Sequence, residues 1–238
     1  MPEEDFNPQL KAEFDLLADD YYNQHKQNIA ITGEGPEYFS KYKIADFANY
    51  FSNKEFPKTI LDFGSGIGNS IEFFREYFSQ IDLYCADVSS RSIEISKSRF
   101  PGGENYLQIS DHIPAEDNSF DTVFTACVFH HIPPGDHAKW LSELMRVLRP
   151  NGTLAIYEHN PLNPLTLHAV NTCPIDVNAK LIMASTMKKR LIECGFQDVR
   201  IQYKLFFPHI LKSLRPLEKY LYKFFLGAQW RIIAINKS

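Results

Sequence analysis

From about Lys58 to about Leu205 the chain alternates short apolar runs with longer stretches in which apolar residues recur every three or four positions. That alternation predicts repeated strand–helix–strand units and a parallel sheet. Strands are predicted at Thr59–Phe63, Asp82–Ala86, Asn105–Ile109, Thr122–Cys127, Thr153–Glu158, Asp198–Leu205 and Gln229–Ile235. Ile71, Phe74 and Phe78 recur at helical spacing after the first strand, and Trp140, Leu144, Val147 and Leu148 do so after Pro134. Pro150-Asn151-Gly152 predicts a stop and a turn after the second of these helices. Pro208 to Leu226 separates the last two strands, and a sheet that closes on a strand instead of another helix predicts an antiparallel final pair. Residues 1–56 carry no strand signal. Their aromatic-rich helical pattern, with Phe14, Leu17, Tyr21 and Tyr22, predicts a lid over the carboxyl edge of the sheet, accessory to a domain spanning 57–238.

A chain of 238 residues has room for one well-buried α/β domain with some decoration. A formal net charge of −4 and an isoelectric point near 6.1 supply no field to draw in nucleic acid or an anionic membrane. A small or neutral partner molecule is expected, and the oligomeric state stays open. Met1 to Gln9 holds three acidic residues and two prolines with no apolar leader, and no run approaches the ~20 apolar residues of a membrane span, which predicts a cytoplasmic protein. Cys85, Cys127, Cys173 and Cys194 form no C-x-x-C pair, so neither a metal site nor a disulfide framework is expected.

Open α/β sheets bind ligands beyond the carboxyl ends of their strands, and the chemistry of this chain gathers there. The run Ile60-Leu61-Asp62-Phe63-Gly64-Ser65-Gly66-Ile67-Gly68-Asn69 breaks from an apolar strand into a glycine turn, where missing Cβ atoms let backbone approach a ligand closely. A dinucleotide loop would read G-x-G-x-x-G. Here the third glycine comes one position early and Asp62 stands two before the first, an arrangement that repels phosphate and invites a cation. Leu61 to Asn69 resembles motif I of the class I S-adenosylmethionine-dependent methyltransferases, roughly apolar-D-x-G-x-G-x-G. The resemblance runs from about Ile60 to Leu205 and lies in the small-molecule, type 11-like branch. It implies an α/β fold with a seven-stranded, Rossmann-like, doubly wound sheet and an antiparallel last strand. It also implies S-adenosylmethionine as cofactor and S-adenosylhomocysteine as product.

On that resemblance, Asp62, Gly64, Ser65, Gly66 and Asn69 hold the methionine part of the cofactor. Asp87, followed by Val88, ends the second strand near the ~20-residue spacing of a ribose-binding acid, with a helix N-cap as the alternative role. Ser110-Asp111-His112-Ile113 resembles the adenine segment, Asp111 facing the amino group and Ile113 the ring, although one or two residues fewer than usual precede Asn118-Ser119-Phe120-Asp121. Phe120 and Asp121 are expected to be structural. Thr125 to Ile132 resembles the family's paired-histidine segment. His131 matches a histidine that is catalytic in phosphoethanolamine methyltransferases, His130 precedes it, and Cys127 lies beside the cofactor pocket. Packing is the alternative for both histidines. Glu158, His159 and Asn160 leave the fifth strand at the acceptor edge, with His159 as a second candidate base and a plain loop start as the alternative. Asn163-Pro164-Leu165-Thr166 and Cys173-Pro174-Ile175-Asp176 fit a long acceptor loop.

Phe14-Asp15-x-x-Ala18-x-x-Tyr21 resembles the start of ubiquinone-type methyltransferases, whose tyrosine closes over the cofactor, and Tyr38 or Lys43 is placed to meet the cofactor carboxylate or the acceptor. Pro208 to Leu226 reads as a basic amphipathic helix interrupted by Pro216, packed on its own domain in preference to a membrane. The expected reaction is in-line methyl transfer to a small polar acceptor, O-methylation of a sugar or related metabolite first, an N-acceptor or lipid-linked acceptor second. The rivals are a nicotinamide oxidoreductase and a cofactor-binding sensor without chemistry. A nucleic-acid methyltransferase is disfavoured, since no basic stripe or Asn/Asp-Pro-Pro-Tyr motif follows the fourth strand.

Overall fold

A computed structural model describes residues 14–237. The readings made on Met1 to Gln9 lie outside the described residues. Seven strands form one sheet: β1 (Thr59–Phe63), β2 (Asp82–Asp87), β3 (Asn105–Gln108), β4 (Phe120–Ala126), β5 (Leu148–His159), β6 (Gln197–Lys204) and β7 (Gln229–Ile235). Their order is β3-β2-β1-β4-β5-β7-β6. The first five run parallel, and β7 lies antiparallel between β5 and β6. Helices cover both faces, so the central strands are apolar on both sides and alternate residues feed two cores. Leu61, Val123, Leu154 and Ile156 face Trp140, Leu141 and Leu144 of α5 (His137–Val147) and Met187 and Leu191 of α7 (Ala184–Glu193). Ile60, Phe124, Ala155 and Tyr157 face Ile44 and Phe47 of α2 (Pro36–Tyr50) and Ile71 and Phe74 of α3 (Ile71–Tyr77).

The N-terminal part contains α1 (Tyr21–Ile29), a 3-10 turn (Ala30–Thr32) and α2, which starts at Pro36 after Gly33 takes φ +76. α2 is knitted into the sheet. Asp46 accepts from Lys204 Nζ at 2.7 Å, Arg231 Nη1 at 2.7 Å and Tyr157 OH at 2.9 Å, joining it to β6, β7 and β5. α1 packs instead against α6 (Pro164–Thr172) and the 3-10 turn Pro174–Asp176, beyond the strand ends. Asp15, ahead of α1, accepts from Ser89 Oγ at 2.7 Å and Arg91 N at 3.1 Å at the start of α4 (Ser90–Arg99).

Two elements differ from the sequence reading. β5 begins at Leu148, five residues before Thr153, because Leu148 pairs with Phe120 across a register shift and Asn151, at φ +65, bends the strand without ending it. Pro208 to Leu226 is not one helix: a 3-10 stretch (His209–Leu217) precedes a single turn, α8 (Glu218–Leu221), and no residue of either is buried. Pro216 lacks the N–H that a continuing α-helix needs. Asp121 is structural as expected, accepting from Lys58 N and Thr59 N and pairing with Arg149.

Candidate active site

The glycine loop leaves β1 with Gly64, Gly66 and Gly68 all at positive φ. A Cβ at Gly64 would overlap the Val128 side chain, whereas one at Gly66 would meet nothing within 4 Å. The backbone is thus tight on the sheet side and open on the other. Gly64 N and Ser65 N bond to Ala86 O at 2.8 and 3.0 Å, and Gly66 N donates to Asp87 Oδ2 at 2.8 Å. Asp62 is buried, and its Oδ2, like Ser65 Oγ, has no hydrogen-bond partner among the described residues. Burial, with Asp87 adding to it, pushes the Asp62 carboxyl up to about 7.

Two cavities flank this loop. The larger, about 610 Å³, takes in Asp62, Ser65, Asn69, Tyr38, Lys43, His130, His159 and Asp176. The smaller, about 100 Å³, includes Asp87, Val88, Ile109 and Trp140. Tyr21, Gly64, Gly66, Cys127 and His131 line both. An unpaired buried carboxylate, an unpaired hydroxyl and open space beside Gly66 fit the ammonium and carboxylate end of S-adenosylmethionine. Asp87 accepts one backbone N–H on each oxygen, from Gly66 and Ser89, which leaves a lone pair on each for ribose hydroxyls. The N-cap of α4 is Ser89, which accepts from Ser92 N, so capping is not Asp87's task.

Beyond β4 the chain turns sharply at Cys127, a non-glycine residue at φ +59 whose N–H still reaches Tyr157 O at 2.8 Å. Lys43 Nζ lies 3.7 Å from its sulfur. Burial works to raise this thiol, but Lys43 and the protonated form of His159 outweigh it and bring it down to about 7. His159 moves the other way: burial lowers it, and Cys127 raises it by more. His130 donates from Nδ1 to Glu158 Oε2 at 2.6 Å, and its Nε2 lies 3.5 Å from Asp176 Oδ1. Both carboxylates overcome burial and lift it to about 10, which favours its protonated form. The His131 ring lies tilted against it with centroids 4.1 Å apart, and burial together with the charge on His130 takes His131 down to about 3. The His131 Nε2 also lies 3.4 Å from Asp176 Oδ1, and Phe14 meets its ring edge-on at 5.1 Å. His130, His131 and Asp176 present ligating atoms within 4.8 Å of one another, a set able to hold a metal ion; protonated His130 already places a positive charge between the two carboxylates.

Five residues expected at the site lie outside the two cavities. Asp111 and His112 bond to each other at 2.6 Å near the surface, and Ile113 is fully buried in the α5 core, its N–H on Glu143. None of the three lines either main cavity; Val88 and Ile109 supply apolar cover there. The short connection before Phe120 turns this segment toward α5, where Arg146 holds the Ile113 and Ala115 carbonyls. Glu158 is buried away from the cavities, accepting Val128 N, Phe129 N and His130, and so orients the histidine pair. Asn160 is spent on backbone: it donates to Phe225 O and Gly227 O at 2.7 Å each and accepts from Leu162 N. His25, by contrast, lines the larger cavity without having been expected there, and Asp176, expected only as the end of an acceptor-loop stretch, lines it too. Asp176 arrives from a loop 46 residues beyond His130, and His25 follows Tyr21 by one helical turn, the only local signal for it. Burial and Lys43 lower His25 to about 4.

Residues 61–156 match a family model described as a methyltransferase domain. Among curated proteins the chain is similar to the demethylmenaquinone methyltransferase of Thermotoga maritima, 30% identical over 107 residues that make up 45% of this chain and 46% of that one. It is also similar to a trans-aconitate 2-methyltransferase of Rhodopseudomonas palustris, 30% identical over 100 residues, 42% of this chain and 38% of that one. The chain spans less than half the length of these curated relatives. Among solved structures, a methyltransferase of Archaeoglobus fulgidus dependent on S-adenosylmethionine superposes with a TM-score of 0.63 at 20% identity, covering 84% of this chain and 95% of its own. Phosphoethanolamine N-methyltransferase 2 of Haemonchus contortus gives 0.68 at 17% identity, covering 96% of this chain and 60% of that one. At these identities the structures speak for the fold, and the matched segment, the strand order and the glycine loop agree with it. Residues 61–156 thus match a methyltransferase domain, and the fold around them is the one seen in S-adenosylmethionine-dependent methyltransferases.

Proposed function

We propose that the chain transfers the methyl group of S-adenosylmethionine to a hydroxyl of a small polar acceptor, a sugar or a related metabolite. The observation that carries this reading is the meeting of two cavities at the glycine loop, with Cys127 and His131 at the junction and His159 on the larger side. When bound, S-adenosylmethionine supplies a methyl group on a positively charged sulfur, open to direct displacement. Asp62 and Ser65 hold its amino-acid end, Asp87 its ribose, and Val88 and Ile109 its adenine ring. Tyr21 and Phe14, in the N-terminal lid, cover the junction.

Holding the acceptor oxygen in line with the methyl group supplies much of the rate. A hydroxyl must also lose its proton as the new bond forms, and a base positioned for it adds roughly 10²–10⁴-fold, most effectively near the working pH. His131, held at about 3, is too weakly basic for that task. His159, raised by Cys127, suits it. In its neutral form His159 takes the proton, and the negative charge of the Cys127 thiolate steadies the imidazolium that results.

The test is turnover to S-adenosylhomocysteine over a panel of sugars and sugar derivatives. His159→Gln is expected to keep the calorimetric affinity for S-adenosylhomocysteine and cut turnover about 10²-fold or more, because glutamine hydrogen-bonds without accepting a proton. Cys127→Ala is expected to move the acid limb of kcat to lower pH, since burial alone lowers His159 once the thiolate is gone. A wild-type chain that binds S-adenosylhomocysteine yet turns over no acceptor, water-soluble or lipid-borne, would reject methyl transfer in favour of a binding domain.

A further inference from the structure

The amphipathic segment between the last two strands does not pack its apolar residues on its own domain. Of the sixteen large apolar side chains exposed among the described residues, eight lie within residues 210–226. Ile210 is 88% exposed, and Leu217, Phe224 and Phe225 about half exposed. A soluble surface normally scatters such residues singly, and a continuous group marks an interaction face. The patch extends beyond the segment. Asn160 and Asn163 donate to the carbonyls of Phe225 and Leu226, which sets residues 160–167, with exposed Leu162, Leu165 and Leu167, beside its end.

The charges in the segment are sorted. Glu218, its one acid, turns inward to accept from Phe206 N and Phe207 N at 2.9 and 3.0 Å. Arg215 also turns inward, to Glu34 at 2.7 Å and over the Tyr38 ring at 4.5 Å. Lys212, Lys219 and Lys223 are left in solvent among the apolar side chains, on a molecule whose net charge is −4. Exposed apolar residues interleaved with lysines, in a protein with no described helix long and apolar enough to cross a membrane, match a surface that lies in the headgroup region of an anionic bilayer. The larger cavity opens through this face, since Ile210 and Leu165 line it and are 88% and 58% exposed.

We propose that residues 208–226, with the leucines of residues 162–167, dock the protein on an anionic membrane surface and turn the larger cavity toward it, so that the acceptor is a polar group carried on a lipid. The docking stands on the surface alone; the nature of the acceptor rests on the methyl transfer proposed above. Co-sedimentation with vesicles of phosphatidylcholine and phosphatidylglycerol (7:3), compared with phosphatidylcholine alone, tests the docking. Binding is expected to the anionic vesicles and to weaken as salt rises. Replacing Lys212, Lys219 and Lys223 together by Gln should cut it about a hundredfold, at roughly fivefold per lysine. Leu217→Ser with Phe224→Ser should also abolish it, both variants keeping wild-type affinity for S-adenosylhomocysteine and a wild-type melting curve. The docking is overturned if the wild type ignores anionic vesicles, if either variant binds them as the wild type does, or if sedimentation velocity shows a dimer that Leu217→Ser with Phe224→Ser splits. For the acceptor, a chloroform–methanol extract of membranes should drive release of S-adenosylhomocysteine where a water-soluble extract does not. The reverse result overturns the lipid-borne acceptor and leaves both the docking and methyl transfer standing.

Discussion

Gly64 and Asp62 sit two residues apart and limit the cofactor cradle in different ways. At Gly64, φ is +77 and the Val128 side chain fills the space a Cβ would need, so Gly64→Val adds a β-branched side chain where neither backbone nor packing admits one. Cofactor binding is expected to vanish in calorimetry; unchanged affinity would remove the loop from the site. Asp62 adds a pH dependence whose sign can be worked out. Its carboxyl is raised in the folded chain to about 7 from an ordinary value of about 4, so folding favours the protonated form. Its contribution to stability is complete below about pH 4 and is lost as pH rises through about 7. The ammonium of the cofactor wants the ionised form, so affinity should rise about tenfold between pH 6 and 8. Asp62→Asn should bind the cofactor weakly with no such rise, and should lose less stability over the same range. A tenfold rise that survives in Asp62→Asn would assign the ammonium to another partner.

The elements around the cradle are held by groups that no local pattern announces. α2 reads as an ordinary amphipathic helix, but Asp46 on it meets Lys204 and Arg231, both nearly buried, from two strands more than 150 residues away. Removing one partner from a buried ionic cluster strands the others without compensation, which costs about 3–5 kcal/mol. Asp46→Ala is expected to lower the melting temperature by about 6–20 °C, at roughly 2–4 °C per kcal/mol for a chain of this size. A drop within a degree or two would mean that apolar packing by Ile44 and Phe47 alone holds α2. The same dependence on distant partners explains Asn160. Its place after β5 and before Pro161 marks a loop start, but its amide becomes a staple only because residues 225–227 pass beside it.

For the molecule as a whole, the two cavities on one glycine loop make cofactor binding a stabilising event. S-adenosylhomocysteine at about a hundred times its Kd should stabilise the fold by about 2.7 kcal/mol and raise the melting temperature by about 5–10 °C. NAD at the same concentration should leave it unchanged, and the opposite pattern would restore the oxidoreductase reading. The strands were legible in the sequence to within a residue or two at most ends, and so was the antiparallel last strand, because period-two burial and the turn that ends each run are properties of neighbouring residues. The glycine loop was legible for the same reason: Asp62, Gly64 and Gly66 fall within five residues, and the absence of a Cβ is a local fact. The rest depended on where distant segments meet. Burial of Ile113 depends on α5, the charge of His130 on Glu158 and Asp176, the basicity of His159 on the bend at Cys127, and the exposure of residues 208–226 on the domain offering them no surface. In each case the residue types stand in the chain, but desolvation and through-space charge set their chemistry, and both are defined only once the chain has folded.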